Sequence, residues 1–283
     1  MNLPVDIVTM KECDLKKILT EIKNGNKHWA EVNKVLIVKS MINHIGSTDS
    51  ELRDQLIYTC FYRLIIESNQ LEQEVLKELL ETSLKDLLFK GIGENGTDTV
   101  FTRAFTSLLV ALILYRDNKD NFLSQSKVYQ IKERLIQYIN DEEDLRGYVP
   151  NRGWAHSIAH VADTFDELVK SPKISQSDYP EILAALWNKM FVSNSVYVHQ
   201  EEERVVTPVI VMLNSGLEAK EIENLLDNLP HKLKTQKEQL EPEKYWFLVF
   251  NMKTFLKSFY MKLNKDSKLE SLQNSIDQCL LKI

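Results

Sequence analysis

Along almost the whole chain, apolar residues return every third or fourth position, the spacing that gathers them on one side of an α-helix. Interruptions by glycine, proline and clusters of Ser, Asp and Asn divide this pattern into helices near residues 11–24, 27–45, 50–67, 70–89, 98–117, 122–140, 153–170, 178–193, 200–215, 218–228, 242–262 and 266–281. Thr48-Asp49-Ser50-Glu51 has the spacing of a capping box, with Thr48 as the cap. Gly46 and Gly216 read as C-caps, and Pro180 and Pro208 are expected early in their helices, where a missing N–H costs little. No run alternates convincingly as a strand, and Ser195–Val198 comes nearest. Short links between helices of similar length predict an all-α fold, an α-solenoid of paired antiparallel helices (HEAT-like) without a significant sheet, forming one domain over residues 1–283.

Composition supports that reading. The chain has 8 glycines and 7 prolines in 283 residues, too few for the many turns of a β-rich fold. Hydrophobic residues make up 43% and charged residues 27%, a globular balance. The net charge of −6 argues against nucleic-acid partners, which need a surplus of Lys and Arg facing phosphates. Three dispersed cysteines, Cys13, Cys60 and Cys279, form no thiolate zinc pattern and suit a reducing cytoplasm. The first 17 residues lack the apolar stretch of a signal peptide, and the greasiest run, Leu108–Leu114, is too short to span a bilayer. That run reads as a buried helix, and Cys60 as core packing; no membrane partner is expected.

Two loops depart from the pattern, Lys90–Thr97 and Asp141–Arg152. Together with the helix start that follows them, they hold five of the eight glycines: Gly91, Gly93, Gly96, Gly147 and Gly153. Clustering of this kind points to special backbone geometry or to close approach of a ligand. On a helix running from Gly153, His156, His160, Asp163 and Glu167 fall within about 60° of one another. Trp154, Ile158, Val161, Phe165 and Leu168 take the opposite side. Imidazoles four residues apart beside a carboxylate can chelate a divalent metal, which makes His156, His160 and Asp163 a candidate metal set. Position 157 is Ser, so the segment is not an H-E-x-x-H motif. The same stripe also suits a metal-free polar site or a solvated helix face.

Further candidates surround it. Arg146 and Arg152 either lock the loop to the acidic run Asp141–Asp144 or hold an anion. Asp98 is expected as a helix cap, while Arg103 stands in an apolar helix and needs a partner. His199 precedes Glu201, Glu202, Glu203 and Arg204; Glu203 and Arg204 adjoin Val205 and Val206 and are expected to face inward. No Ser-His-Asp order, G-x-S-x-G, P-loop or G-x-G-x-x-G sequence is present.

The segments Asp98–Ala111 and Asp144–Asp163, with Glu202-Glu203-Arg204, resemble a bacterial family of unknown function, domain-of-unknown-function family 2785, from about residue 50 onward. The resemblance implies a cytoplasmic, all-helical protein and carries no assigned activity. Three functions fit the residues. One is a polar groove for a small polar or anionic ligand or a protein partner's acidic segment, lined by Arg103, Asp144, Arg146, Trp154, His156, His160, Glu203 and Arg204. Another is a metal-dependent, hydrolase-like enzyme using His156, His160 and Asp163. The third is an interaction scaffold with no small-molecule site. The first two place Arg103, Asp144, Arg146, His156, His160 and Glu203 in one cluster.

Overall fold

The computed structural model describes residues 9–263 and 269–283. Residues 1–8 of the N-terminal segment read as lacking a leader, and the first residues of the helix expected from 266, lie outside the described residues. The chain is all-α apart from one short hairpin. The helices are α1 (Glu12–Lys23), α2 (Lys34–Asn43), α3 (residues 51–67), α4 (residues 73–87), α5 (Thr99–Asp120) and α6 (Gln125–Asp141). The hairpin strands β1 (Tyr148–Val149) and β2 (Gly153–Trp154) follow. Then come α7 (Ser157–Val169), α8 (Tyr179–Met190), α9 (Glu201–Asn214), α10 (Ala219–Gln239), α11 (Pro242–Leu263) and α12 (Glu270–Lys282).

Odd-numbered helices pack in chain order: α3 on α5, α5 on α7, α7 on α9, and α9 on α11. Even-numbered helices back this row, α4 against α5, α6 against α7 and α8 against α9. Most buried apolar residues of both layers form one cluster that runs from Leu15 to Cys279, and Val100, Phe101 and Ala155 form a small second one. At its centre lies α5, buried all round from Val100 to Leu114. By length and composition α5 is the one described helix fit to cross a membrane, but 83% of its apolar window is buried inside the protein. Its greasiness reflects a helix with neighbours on every side.

Local chemistry accounts for where the pattern misplaces element ends. Asp49, not Thr48, caps α3, its Oδ1 accepting from the amides of Glu51 (3.0 Å) and Leu52 (3.2 Å). Gly46 lies against α5, where a Cβ would stand 2.0 Å from Thr102 Oγ1, so it serves close packing. Pro208 sits in the middle of α9, where Arg204's carbonyl goes without its usual amide donor. Helix α10 runs through Pro230 to Gln239, well past the expected end at 228. Residues 195–198 form no strand; they lie in the irregular link between α8 and α9.

Helix α3 is unusual. It opens as a π-helix over Glu51–Tyr58, makes one α-helical turn at Thr59–Tyr62 and closes as a π-helix over Arg63–Glu67. The wider π turn shifts successive side chains off the α-helical stripe, and such turns are frequent beside functional sites. Here it presents Asp54 and Tyr58 toward α5 and α7.

Candidate functional site

The strand pair missing from the sequence pattern is set by Val149-Pro150-Asn151-Arg152. Pro150 supplies the second turn position and Asn151, with φ +64°, the third, while the Arg152 amide donates to the Val149 carbonyl at 3.0 Å. Tyr148 therefore faces Trp154 across the hairpin, and the two rings meet edge to face at 5.1 Å. The ladder continues through Ala155 N–H to Gly147 O (2.8 Å) and His156 N–H to Arg146 O (3.1 Å). Helix α7 thus begins at Ser157 rather than 153, and Trp154, expected on its apolar side, stands off the helix and stacks on His156 at 4.4 Å.

His156 itself is left-handed, with φ +49° and ψ +37°, and so is Gln200 at the start of α9. Left-handed backbone is uncommon for residues other than glycine. The two positions flank a group of three histidines and a glutamate. Ring centroids of His156 lie 5.8 Å from His160 and 5.9 Å from His199. His156 Nε2 lies 3.6 Å from Glu201 Oε1, and His199 Nδ1 lies 3.8 Å from the same oxygen. The His199 amide donates to Glu201 Oε2 at 2.9 Å. Glycine at 147 permits this approach, since a Cβ there would stand 2.2 Å from His199 Nδ1.

On the other side of His156 a cavity of about 290 Å³ opens, lined by Asp54, Tyr58, Phe105, Leu108, Trp154, His156, His160, Asp163 and Arg204. A second depression of about 320 Å³ adjoins it, sharing Tyr58, Leu108 and Asp163 and continuing past Tyr62, Tyr115 and Glu167. All four polar residues of the α7 stripe, His156, His160, Asp163 and Glu167, line one or both hollows. Three polar atoms on the first cavity's lining are buried without a hydrogen-bond partner: His156 Nε2, His160 Nδ1 and Asp54 Oδ1. Asp54 Oδ1 does lie 2.8 Å from Arg53 Nε, a charge contact whose angle is poor for a hydrogen bond. Burial, with the neighbouring His199 and Arg204, lowers the His156 pKa to about 4. His160 is pushed well below its ordinary value, first by burial and then by His156. Both rings are neutral at pH 7, each with one nitrogen free to accept. Burial raises Asp163 despite the fork of Arg204, whose Nε donates to Asp163 Oδ1 at 2.7 Å.

The predicted site residues divide between two places rather than converging. Trp154, His156, His160, Asp163 and Arg204 line the cavity; Arg103, Asp144, Arg146 and Glu203 do not. Arg103 and Glu142 are both 0% exposed and form a two-pronged pair, Nε to Oε2 at 2.7 Å and Nη2 to Oε1 at 2.8 Å. Arg103 Nη1 also donates to the carbonyls of Lys90 and Gly91, both at 2.8 Å, and so fastens the glycine loop. Asp144 accepts from Gly96 N–H (3.0 Å) and is forked by Arg146. Asp98 makes no cap and pairs with Arg152 instead. Glu203 is exposed, and its carbonyl takes the Lys262 ammonium. The set His156, His160 and Asp163 does not form a common donor group: Arg204 holds both Asp163 oxygens, and His160 packs against the Phe105 ring at 5.1 Å. Among the described residues the group close enough to share an ion is His156, His199 and Glu201.

Sequence reasoning passed over Arg53, which is fully buried. Its guanidinium lies over Phe101 (4.3 Å) and Phe105 (4.9 Å) and donates to the carbonyls of Ser47, Arg152 and Trp154. Burial lowers its pKa. Its neighbours Glu51, Asp54 and Gln55 give it the look of a solvated helix start, so the apolar surroundings that singled out Arg103 were missing from the local sequence.

An all-α protein with a histidine-lined groove beside a strained hairpin is the class that fold and site define. The chain belongs to the family described as Protein of unknown function (DUF2785), which it matches over residues 88–261. No curated protein and no solved structure matches it.

Proposed function

We propose that this protein binds a small polar ligand in the groove between α3, α5 and α7. One observation carries the reading: His156, His160 and Asp54 line a single cavity, and His160 Nδ1 is buried there without a partner. Buried polar atoms left unpaired cost about 1–3 kcal/mol each, so a fold keeps them together where something else completes them. The complement is a molecule carrying N–H or O–H donors, flat enough to lie against Trp154. Arg204, half committed to Asp163, adds one site for an anionic group. The packing of odd-numbered helices side by side with even-numbered helices behind supports a HEAT-like scaffold for the groove. Three free cysteines suit a cytoplasmic protein.

The test is thermal unfolding in EDTA against a panel of nucleosides, amino acids and small dicarboxylic acids, with tryptophan fluorescence as a second readout. At least one compound class is expected to raise Tm by about 2–4 °C per kcal/mol of linked binding. That gain should vanish in His160→Leu. A panel that leaves wild-type Tm and fluorescence unchanged, or shifts His160→Leu equally, overturns the proposal.

A further inference from the structure

We propose that His156, His199 and Glu201 form a binding site for one divalent transition-metal ion of the zinc class, which shares His156 with the lining of the groove. Two imidazoles and one carboxylate are a donor set that borderline ions prefer. Donors of a tetrahedral zinc ion stand about 3.4 Å apart, as bond lengths near 2.1 Å require. His156 Nε2 and His199 Nδ1 are 3.6 and 3.8 Å from Glu201 Oε1, and all three atoms lie within 4.8 Å of one another. Small side-chain rotations bring them into that range.

Two further observations point to a cation. Glu201 is 2% exposed, and among the described residues the basic side chains within 4 Å of its carboxylate are these two imidazoles rather than a lysine or arginine. A carboxylate so buried needs positive charge beside it. His156 Nε2, aimed at that carboxylate, is buried and has no hydrogen-bond partner. The surroundings hold the donors in place: Trp154 stacks on His156, and the His199 amide fixes the second oxygen of Glu201. Gly147 leaves room for the His199 ring. Three protein donors would leave the ion one open position, the arrangement of zinc sites that also take a small ligand.

Zinc titration of tag-free, EDTA-stripped full-length protein, followed by calorimetry, tests the site, with cobalt absorption as a geometry readout. The expected result is one ion per chain with tetrahedral cobalt bands. His199→Ala, Glu201→Gln and His156→Asn should each weaken binding by about tenfold or more, as loss of one ligand implies. Asparagine tolerates the left-handed backbone at 156. His160→Leu should bind zinc as wild type does. Circular dichroism of each variant in EDTA identifies any that fails to fold, and His199→Ala, on a partly exposed loop, then decides. Absence of saturable uptake, or uptake undiminished in His199→Ala and Glu201→Gln, overturns the proposal. Equal loss in His160→Leu overturns it too, by placing the ion elsewhere. Zinc uptake is read without organic ligand and groove binding is read in EDTA, so either can fail alone.

Discussion

Arg103 on α5 and His160 on α7 are both buried on neighbouring helices, and their polar atoms meet opposite fates. Arg103 meets a carboxylate, two carbonyls and the Thr99 hydroxyl, and its partner Glu142 also accepts from the Asp144 amide. His160 presents Nδ1 to a cavity and pairs it with nothing. A saturated buried charge is a fastening. An unsaturated buried group beside a hollow is an opening for something else. The two places lie in consecutive stretches of the same loop, since Glu142 and Asp144 belong to the first and Gly147, Trp154 and His156 to the second.

The sharpest way to break that contrast is Arg103→Met. It leaves Glu142 buried without its ion-pair partner, and should cost about 3–5 kcal/mol in urea unfolding. A loss below about 1 kcal/mol would mean that the clasp is not a fastening. Gly147→Ala comes next, because its Cβ collides with the His199 ring. About 1–3 kcal/mol is expected for such overpacking, together with weaker zinc binding.

His160→Leu should fall within about 1 kcal/mol of wild type in stability, since it removes the unpaired Nδ1, and the Ala104 carbonyl that loses the ring's hydrogen bond keeps the Ser107 hydroxyl at 2.7 Å. Its effect appears in pH dependence instead. In the folded, metal-free protein burial lowers His156 to about 4 and pushes His160 well below the 6.5 of an ordinary histidine. Below 6.5 the unfolded chain takes up protons that the folded one refuses, so stability declines as pH falls from 6.5 toward 4. The charged groups facing these rings, Arg53, Arg204, Asp163, Glu201 and His199, remain in the variant. Chemical denaturation across that range should therefore give a shallower slope for His160→Leu, and an unchanged slope rejects the neutral buried ring. The smallest effect belongs to Arg204→Gln. Its pair with Asp163 is partly exposed, with side chains 51% and 31% accessible, so about 1 kcal/mol or less should be lost.

Helices were legible because their period survives wherever one side is buried. Even α5, buried all round, betrayed itself by length and by the solitary Arg103. The hairpin was not legible as strand: two residues per strand leave no period to read, and only Pro150-Asn151 marks the turn. The α7 stripe and Arg204 line the hollows beside α3 and α5. Their partners were hidden by distance along the chain. Glu201 reads as an ordinary acidic helix start, His199 as a loop residue, and Asp54 and Tyr58 face the site through a π-helical turn that α-helical spacing does not anticipate. The pairing of Arg103 with Glu142, rather than with a ligand, depends on which of four neighbouring acids the loop turns inward, and composition does not encode that choice.

Arg53 bears on the order in which the molecule assembles. Its contacts to the Arg152 and Trp154 carbonyls join positions 99 and 101 residues apart in sequence. Arg103 and Glu142, by contrast, are 39 apart. Closing a longer loop sacrifices more chain entropy before any contact repays it, and contacts between distant segments tend to form late. The clasp should therefore close before the N-terminal helices dock, and the hairpin should settle onto Arg53 only afterwards. His156, carried by that hairpin, would then be among the last groups fixed. A half-folded chain would have its core helices and no groove, which makes ligand or zinc uptake a stricter measure of complete folding than helical content.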